Sequence, residues 1–285
     1  MVVTTRFAPS PTGYLHLGHA YAAIFAANRA LEVNGQFVLR IEDIDEVRSS
    51  LEFETEIFRD LSWLGVKWGS PVRRQSEHLS TYQAALEHLG DLNLLYPCFC
   101  SRKDIVREIA NISHAPHGPE GFIYPGTCKN LDSLKIEELI ASGAPYAMRL
   151  NMNRAISMTG TLTWRDRRKG VQVAKPNKFG DIVLARKDIS TSYHLAVTVD
   201  DHIQGVSLVT RGADLFEASH IHRLLQALLG FNVPDYEHHK VIVDRKGKRF
   251  SKRDGGARLS DFRKNECKPD SVFKMLGISL GQTMP

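Results

Sequence analysis

The pattern of apolar and polar positions at the start of the chain predicts a strand, a helix and a second strand. A short β-favouring run at residues 2–7 ends in a Pro- and Gly-rich loop at 8–13. Small apolar residues recur at helical spacing from 18 to 33, and the Asn-Gly pair at 34–35 predicts the end of that helix. Another β-favouring run follows at Gln36–Ile41. This order predicts a βαβ unit with parallel strands and a right-handed connection.

In the rest of the chain, predicted helices and strands alternate as in an α/β fold, except in one irregular stretch. Apolar spacing predicts helices at 50–64 and 79–89, whereas the region from 96 to 175 is rich in Gly, Pro, His and Cys. We interpret that region as an insertion with a helix at Ser133–Ala141 and a strand at 146–151. Beyond it, the pattern predicts strands at 181–184, 193–200 and 207–210, a helix at 213–229 and a short helix at 271–276.

Composition narrows the class of protein. The chain has 285 residues, of which 42% are hydrophobic and 24% charged, so it is not disordered throughout. No apolar run approaches the roughly 18 residues of a membrane helix, and the N-terminus lacks the pattern of a secretory signal. Four cysteines are too few for a disulfide scaffold. These features favour a reducing, cytoplasmic location and no membrane contact.

Positive charge is concentrated near the C-terminus. The formal net charge is +5, yet residues 240–268 carry eleven Lys and Arg against four acids, which is +7. A clustered basic surface favours binding of phosphate or nucleic acid. A solvated loop without a ligand is the alternative that charge alone leaves open.

Two histidines flank a glycine at the start of the first predicted helix. They are His16 and His19, with Gly18 between them. A helix start favours anions, because its free N–H groups and its dipole both attract negative charge. Imidazole N–H groups there can donate to phosphate oxygens as charge develops in a transition state. The placement indicates a phosphate site, although a bare His-x-Gly-His pattern is more often a helix cap.

The stretch from Arg6 to His19 resembles the HIGH signature of class I aminoacyl-tRNA synthetases. It is most similar to the glutamyl subgroup, since glutaminyl enzymes carry a different residue at the position of Arg6. Residues 249–253 resemble the KMSKS loop of the same class; they depart from it at the first two positions and keep Ser251 and Lys252. Further segments similar to glutamyl synthetases are 40–45, 199–201 and 209–214.

The resemblance implies an α/β fold of the class I, Rossmann type with a parallel sheet. Its expected parts are a first half of the catalytic core at 1–95, an inserted, zinc-bearing and acceptor-binding region at 96–176, a second half of the core at 177–230 and a C-terminal segment with the KMSKS-like loop at 231–285.

The short sequence after the KMSKS-like loop narrows the expected activity. Full glutamyl-tRNA synthetases continue there into an anticodon-binding region, whereas this chain ends at Pro285. It therefore resembles the glutamyl-Q tRNA(Asp) synthetases, which are free-standing catalytic cores. The resemblance implies that the chain activates L-glutamate with ATP and Mg²⁺, without tRNA, and transfers it to queuosine in the anticodon loop of tRNA(Asp). No obligatory protein partner is expected.

Three alternatives compete with this hypothesis. They are a truncated glutamyl-tRNA synthetase that charges a tRNA 3′ end, a small-molecule ligase or nucleotidyltransferase that shares His-x-Gly-His, and a catalytically inactive relative that binds RNA or nucleotide. The intact histidines and Lys252 disfavour the inactive relative.

The resemblance also implies roles for individual residues. It makes His16, His19 and Lys252 catalytic. The implied glutamate-binding residues are Arg6, Phe7, Ala8, Pro9, Ser10, Glu42, Tyr193 and Arg211. The implied ATP-binding residues are His16, Gly18, His19, Ser251 and Lys252. A guanidinium suits a carboxylate because its forked donors pair with both oxygens, and an acid such as Glu42 neutralises the substrate ammonium.

Three cysteines in the insertion indicate a structural zinc site. Cys98, Cys100 and Cys128 supply three thiolates, one ligand short of the usual four. By residue type alone, His114 or His117 would be the commonest fourth ligand. The resemblance implies Tyr124 instead, with His117 as the reserve, and three unligated cysteines remain the alternative. Cys267 stands apart and is expected to be structural.

Overall fold

The computed structural model describes residues 2–110, 117–186, 190–242 and 258–281. Its strands are β1 (Thr4–Phe7), β2 (Gln36–Ile41), β3 (Arg73–Arg74), β4 (Leu95–Cys98), β5 (His117–Gly118), β6 (Gly121–Phe122), β7 (Ala147–Leu150), β8 (Thr163–Asp166), β9 (Gly170–Val173), β10 (Val183–Arg186), β11 (Leu208–Gly212) and β12 (Asp235–His239). Its helices are α1 (Leu17–Leu31), α2 (Leu51–Trp63), α3 (Leu79–Asp91), α4 (Arg102–Ala110), α5 (Ser133–Ala141), α6 (Met152–Thr159), α7 (Tyr193–Ile203), α8 (Ala218–Leu228), α9 (Leu259–Lys264) and α10 (Pro269–Leu276). Within these ranges, no helix is both long and apolar enough to span a membrane.

Parallel strands form the central sheet. β1 pairs with β2, and β2 with β3, in parallel, which confirms the predicted βαβ unit. β11 and β12 form a second parallel pair, in which Arg211 lies opposite His238. β1 lies alongside β11, where the Ser207 amide donates to the Thr4 carbonyl at 3.0 Å. The carboxyl ends of β1, β2, β11 and β12 therefore meet at one edge, where ligands bind in open α/β sheets.

Helix α1 packs its small apolar face onto this sheet. Ala20, Ala23 and Ala27 are buried with Ile24 and Phe25 in a core that also contains residues of β2, α2 and α10. The helix ends where the Gly35 amide donates to the Ala30 carbonyl at 2.7 Å. A Cβ on Gly35 would lie 2.2 Å from the Val3 carbonyl oxygen, so this turn requires glycine. The predicted stop at 34–35 thus has a steric cause.

An antiparallel sheet stands apart from the central one. β7 pairs with both β4 and β10. Of the three cysteines of the expected zinc site, Cys98 ends β4 and the other two pack against it. The β8–β9 hairpin joins the central sheet instead, because β8 pairs with β12 at Asp166 and Tyr236. β10 follows the expected domain boundary at residue 176, and its partner β7 precedes that boundary. The antiparallel sheet therefore contains strands from both sides of the expected boundary.

Two expectations about elements were wrong. Residues 193–200 form helix α7, not a strand, and the Ser192 hydroxyl caps it by accepting from the Leu195 amide at 3.4 Å. All but its first and last few residues are buried, so a continuous apolar run could not distinguish a helix from a strand. The helix expected at 213–229 is divided into a 3₁₀ turn at Ala213–Leu215 and α8.

Candidate active site

A cavity of about 490 Å³ lies where the carboxyl ends of these strands meet the start of α1. The expected site residues that line it are Arg6, Phe7, Ala8, His16, Gly18, His19, Glu42, Tyr193 and Arg211. Pro9 is buried and its carbonyl accepts from the Glu42 amide at 3.0 Å, while Ser10 lines a neighbouring cavity. Ser251 and Lys252 lie outside the described residues.

The flanks of that undescribed stretch both lie at the cavity. Ile242 lines it, and Arg258 forms a β-bridge with His16. The Leu259 amide also donates to the Leu15 carbonyl at 2.9 Å. Residues 242 and 258, which flank this stretch, therefore both lie near the start of α1 and its cavity.

Arg6 is held on the cavity wall by an ion pair. Its Nε donates to Asp201 Oδ1 at 3.0 Å and its Nη1 to the Thr210 carbonyl at 3.0 Å. Burial opposes ionisation of Asp201, but the guanidinium groups of Arg6 and Arg40 outweigh it and lower the pKa of this carboxyl. Two donors of Arg6 are thus committed to the protein, which fixes the direction of its side chain.

Arg40 connects the ion pair to Glu42. It is completely buried, donating to Asp201 Oδ1 at 2.8 Å and to Glu42 Oε1 at 3.2 Å. Burial raises the pKa of Glu42, and Arg40 counteracts this rise. Arg40 therefore fixes the position of the Glu42 carboxyl group at the cavity wall.

Arg211 is held in a different manner, by neutral acceptors. Its Nε donates to His238 Nε2 at 3.1 Å, one terminal nitrogen lies 3.2 Å from His222 Nδ1, and the other donates to the Ser219 hydroxyl at 2.7 Å. The Tyr193 ring lies beside this group, 5.7 Å from the His222 ring. Burial raises the pKa of Tyr193, so it presents a phenol hydroxyl to the cavity.

The two histidines of the first loop cap α1 together. His16 Nδ1 accepts from the Gly18 amide at 3.1 Å, and His19 Nδ1 accepts from the His16 amide at 3.2 Å. Because both Nδ1 atoms accept, the proton of each neutral ring lies on Nε2. A Cβ on Gly18 would lie 3.0 Å from His16 Cε1, so glycine makes room for the His16 ring. The helix start thus carries imidazole donors as well as its dipole.

The sequence of residues 2–283 matches the family model of tRNA synthetases class I (E and Q), catalytic domain. The chain belongs to this family. It is 45% identical to a glutamyl-Q tRNA(Asp) synthetase of Rhodobacter capsulatus, over 96% of this chain and 99% of that protein. It is 36% identical to a glutamate–tRNA ligase of Hydrogenobaculum sp., over 96% of this chain but 58% of the ligase.

Its structure is also similar to that of solved synthetases. The crystal structure of a glutamate–tRNA synthetase from Elizabethkingia anophelis matches with a TM-score of 0.80 and 26% identity. That match covers 97% of this chain and 61% of the solved one. The chain is thus a class I synthetase of the glutamyl type, with the catalytic fold of its longer relatives.

The three cysteines of this synthetase form a compact cluster. The Sγ atoms of Cys98, Cys100 and Cys128 lie within 4.8 Å of one another, and Cys100 Sγ is 3.4 Å from Cys128 Sγ. Four ligands about 2.3 Å from a zinc ion would place their sulfurs roughly 3.8 Å apart, so the donor set fits zinc. Tyr124 Oη lies 3.6 Å from Cys100 Sγ and accepts from the Cys128 amide at 2.8 Å. The side chain of His117 is outside the described part of the structure.

A second cavity, of about 520 Å³, adjoins the first in this synthetase. Both are lined by Glu42 and Tyr193. The second cavity is also bordered by Cys100 of the cysteine cluster, and its arginines are Arg48, Arg102, Arg149 and Arg186. It therefore offers a cationic surface next to the predicted glutamate site.

Sequence reasoning missed the residues that hold the site arginines. Asp201 and Arg40 fall in the segments 199–201 and 40–45, yet residue type alone does not separate a buried ion pair from surface charges. His238 lies in β12, a buried strand whose polar sequence, Asp-Tyr-Glu-His-His, does not have the apolar pattern that predicts a buried strand. The sequence signal that could have identified His238 is the pair of adjacent histidines directly before the basic segment.

Proposed function

We propose that this synthetase activates L-glutamate with ATP to give glutamyl-adenylate, without requiring tRNA, and transfers the glutamyl group to queuosine in the anticodon loop of tRNA(Asp). The observation that carries the proposal is one cavity with Arg6, Arg211 and Glu42 on its sheet side and the His16–His19 helix start on the other. The full-length similarity to a glutamyl-Q tRNA(Asp) synthetase supports the choice of acceptor.

The sheet side of the cavity is suited to glutamate. Glutamate has one ammonium group and two carboxylates, and the wall offers one carboxylate and two guanidinium groups. Glu42 would bind the ammonium and Arg211 a carboxylate through the N–H groups not donated to the histidines and Ser219. Phe7, Ala8 and Tyr193 would shape the space around the aliphatic chain. Glutamine should be rejected, because a neutral amide leaves a guanidinium without its charge partner.

The first step needs positioning and charge stabilisation, with no covalent intermediate on the protein. A carboxylate oxygen of glutamate bonds to the α-phosphorus of ATP, the bond from that phosphorus to the bridging oxygen breaks, and pyrophosphate leaves. His16 and His19 would donate their Nε2–H groups to phosphate oxygens as charge develops. Lys252 would add a positive charge, and bound Mg²⁺ supplies further positive charge to the phosphates.

The second cavity would receive the acceptor nucleoside for the second step. A hydroxyl of queuosine attacks the carbonyl carbon of the adenylate, and AMP leaves with its phosphate. The shared residues Glu42 and Tyr193 lie between the two cavities, so an acceptor in the second can reach a glutamyl group in the first. The arginines there suit the RNA backbone, whose contacts are electrostatic.

We further propose one structural zinc per chain, bound by Cys98, Cys100, Cys128 and Tyr124. The expected domain boundaries at 95, 176 and 230 and a cytoplasmic location also remain proposals.

Glutamate-dependent exchange of pyrophosphate into ATP, measured without tRNA, tests the first step. We expect exchange with glutamate and at least about 1,000-fold lower kcat/KM with glutamine. Absence of exchange with glutamate would contradict the proposal. Exchange that appears only after tRNA is added would favour a truncated glutamyl-tRNA synthetase, and no exchange in either condition would favour an inactive relative.

The acceptor is tested with labelled glutamate and two preparations of tRNA(Asp), one with queuosine and one without. We expect label only on the first, and unchanged acceptance after enzymatic removal of its 3′-terminal adenosine. Loss of acceptance after this trimming would instead identify a synthetase that charges the 3′ end.

A further inference from the structure

The hydrogen bonds around Arg211 specify where each proton lies. A guanidinium only donates, so His238 Nε2 and His222 Nδ1 must both be unprotonated to accept from it. The proton of His238 then lies on Nδ1, which is 2.7 Å from Asp166 Oδ2. This is the only neutral tautomer of His238 that satisfies both neighbours.

The same rule assigns the protons on the other side of Arg211. His222 Nε2 carries its proton and donates to His194 Nδ1 at 3.1 Å, and His194 Nε2 donates to Glu120 Oε1 at 3.0 Å. One chain of donors therefore runs outward from Arg211 to a carboxylate at each end. Each ring donates through one nitrogen and accepts through the other, and reversing any one ring would set two N–H groups against each other.

Asp166 is the fixed end of this chain. It is completely buried, and its Oδ1 accepts from the amides of Arg168 and Lys169 at 2.9 Å. Its Oδ2 accepts from both the amide and the ring of His238. Burial opposes ionisation of Asp166, but these bonds outweigh it and lower the pKa of the carboxyl. The other end, Glu120, is 59% exposed at its side chain and held less firmly.

We propose that Asp166 is a positioning residue for glutamate binding: it sets the tautomer of His238, which in turn orients Arg211 through a neutral acceptor. The inference rests on the proposed function of Arg211 as a carboxylate-binding group. The neutral imidazole matters because a carboxylate paired directly with Arg211 would compete with the substrate carboxylate for its donors.

Replacing Asp166 by Asn tests this role with almost no change in shape. The Asn oxygen can still accept from the Arg168 and Lys169 amides, whereas its NH₂ group faces His238 Nδ1 and cannot accept from the His238 amide as Asp166 Oδ2 does. His238 then becomes protonated on Nε2 and opposes the Nε–H of Arg211. In pyrophosphate exchange we expect the KM for glutamate to rise about 10- to 100-fold and the KM for ATP to change less than about twofold.

A matched control and a double-mutant cycle separate positioning from loss of structure. Asp60→Asn alters another completely buried carboxylate, one that pairs with Arg263 between α2 and α9, and should leave the KM for glutamate unchanged. In a His238→Leu background no ring nitrogen connects residue 166 to Arg211, so the protons on residue 166 no longer affect the guanidinium. Asp166→Asn should therefore add little to the effect of His238→Leu on the KM for glutamate in a double-mutant cycle.

Nitrogen NMR of the His238 ring gives a readout that needs no activity. We expect the proton on Nδ1 in the unsubstituted protein and on Nε2 in Asp166→Asn. An unchanged tautomer, an unchanged KM for glutamate, or effects that simply add in the cycle would each overturn the inference. Absence of glutamate-dependent exchange in the unsubstituted protein would overturn the proposed function itself, so the two failures are distinguishable.

Discussion

At the scale of single residues, burial keeps the histidines behind the cavity neutral. Burial first, and the nearby charge of Arg211 next, lower the pKa of His238 to about 4 and that of His222 well below its ordinary value. Asp166 counteracts this shift at His238 without reversing it. The acceptors of Arg211 therefore stay unprotonated across the neutral range.

This neutrality predicts a loss of stability in mild acid. His238 has an ordinary pKa of 6.5 and a folded pKa of about 4, so in that window the unfolded chain binds more protons than the folded one. Its contribution to the free energy of unfolding is therefore present above the ordinary pKa and should fall by about 2 kcal/mol between about pH 7 and pH 5.

Urea denaturation at the two pH values, on the unsubstituted protein and on His238→Gln, measures this contribution. Because Asp60 has a raised pKa of about 6 and acts in the opposite direction, the difference between the two proteins is the relevant quantity. Equal pH dependence in both would contradict the prediction.

At the scale of elements, the start of α1 combines a structural and a chemical role. His16 caps the helix by accepting a hydrogen bond at Nδ1, while its Nε2–H is the group that we propose donates to the phosphates of ATP. Asparagine is itself a good N-cap, but it has no donor at the position of Nε2. The two roles can therefore be separated by one substitution.

His16→Asn should keep the fold and lose catalysis. We expect the free energy of unfolding in urea to change by less than about 1 kcal/mol. The kcat for pyrophosphate exchange should fall about 100-fold, because a donor to developing charge acts mainly in the transition state. A variant with normal kcat would show that the ring serves only as a cap.

The cysteine cluster is the second element with a testable role. Its three sulfurs and Tyr124 lie together beside β4, so we expect about one zinc per chain on elemental analysis of protein purified without chelators. Tyr124→Phe should lower zinc occupancy and His117→Ala should not. The opposite result would make His117 the fourth ligand, and no zinc in the unsubstituted protein would contradict the site.

At the scale of the whole molecule, the two adjoining cavities predict that the two steps respond separately to mutation. Arg102 and Arg186 line the second cavity and are exposed, but they do not line the first. Changing both to Ala should lower glutamate transfer to tRNA about tenfold or more and flatten its dependence on salt, because each phosphate contact releases counterions.

Glutamate-dependent exchange in the same double variant should change less than about twofold, since this step involves no RNA. Arg154→Ala, an exposed arginine on α6, is the matched control and should affect neither step. Equal losses in exchange and transfer would contradict the separation of the two cavities.

The sequence by itself determined the βαβ start, the position of the two histidines at a helix start and the cysteine cluster, because each is specified by residues within a few tens of positions in the chain. Gln36–Ile41 is the strand that its pattern predicts, and His16, Gly18 and His19 lie at a helix start as expected. Six further expected residues, among them Glu42 and Arg211, line the same cavity.

Only the tertiary structure decided how those residues are held. α7 is buried at residues 194–201, so its apolar positions show no helical period and the sequence pattern did not separate a helix from a strand. Asp166 and His238 are 72 positions apart, and their pairing depends on the register of the parallel strands β8 and β12. Arg6 and Asp201 are 195 positions apart, and their pairing depends on where α7 lies relative to β1. Burial then fixes which of these groups are charged and which tautomers they adopt, and neither property exists until the chain is folded.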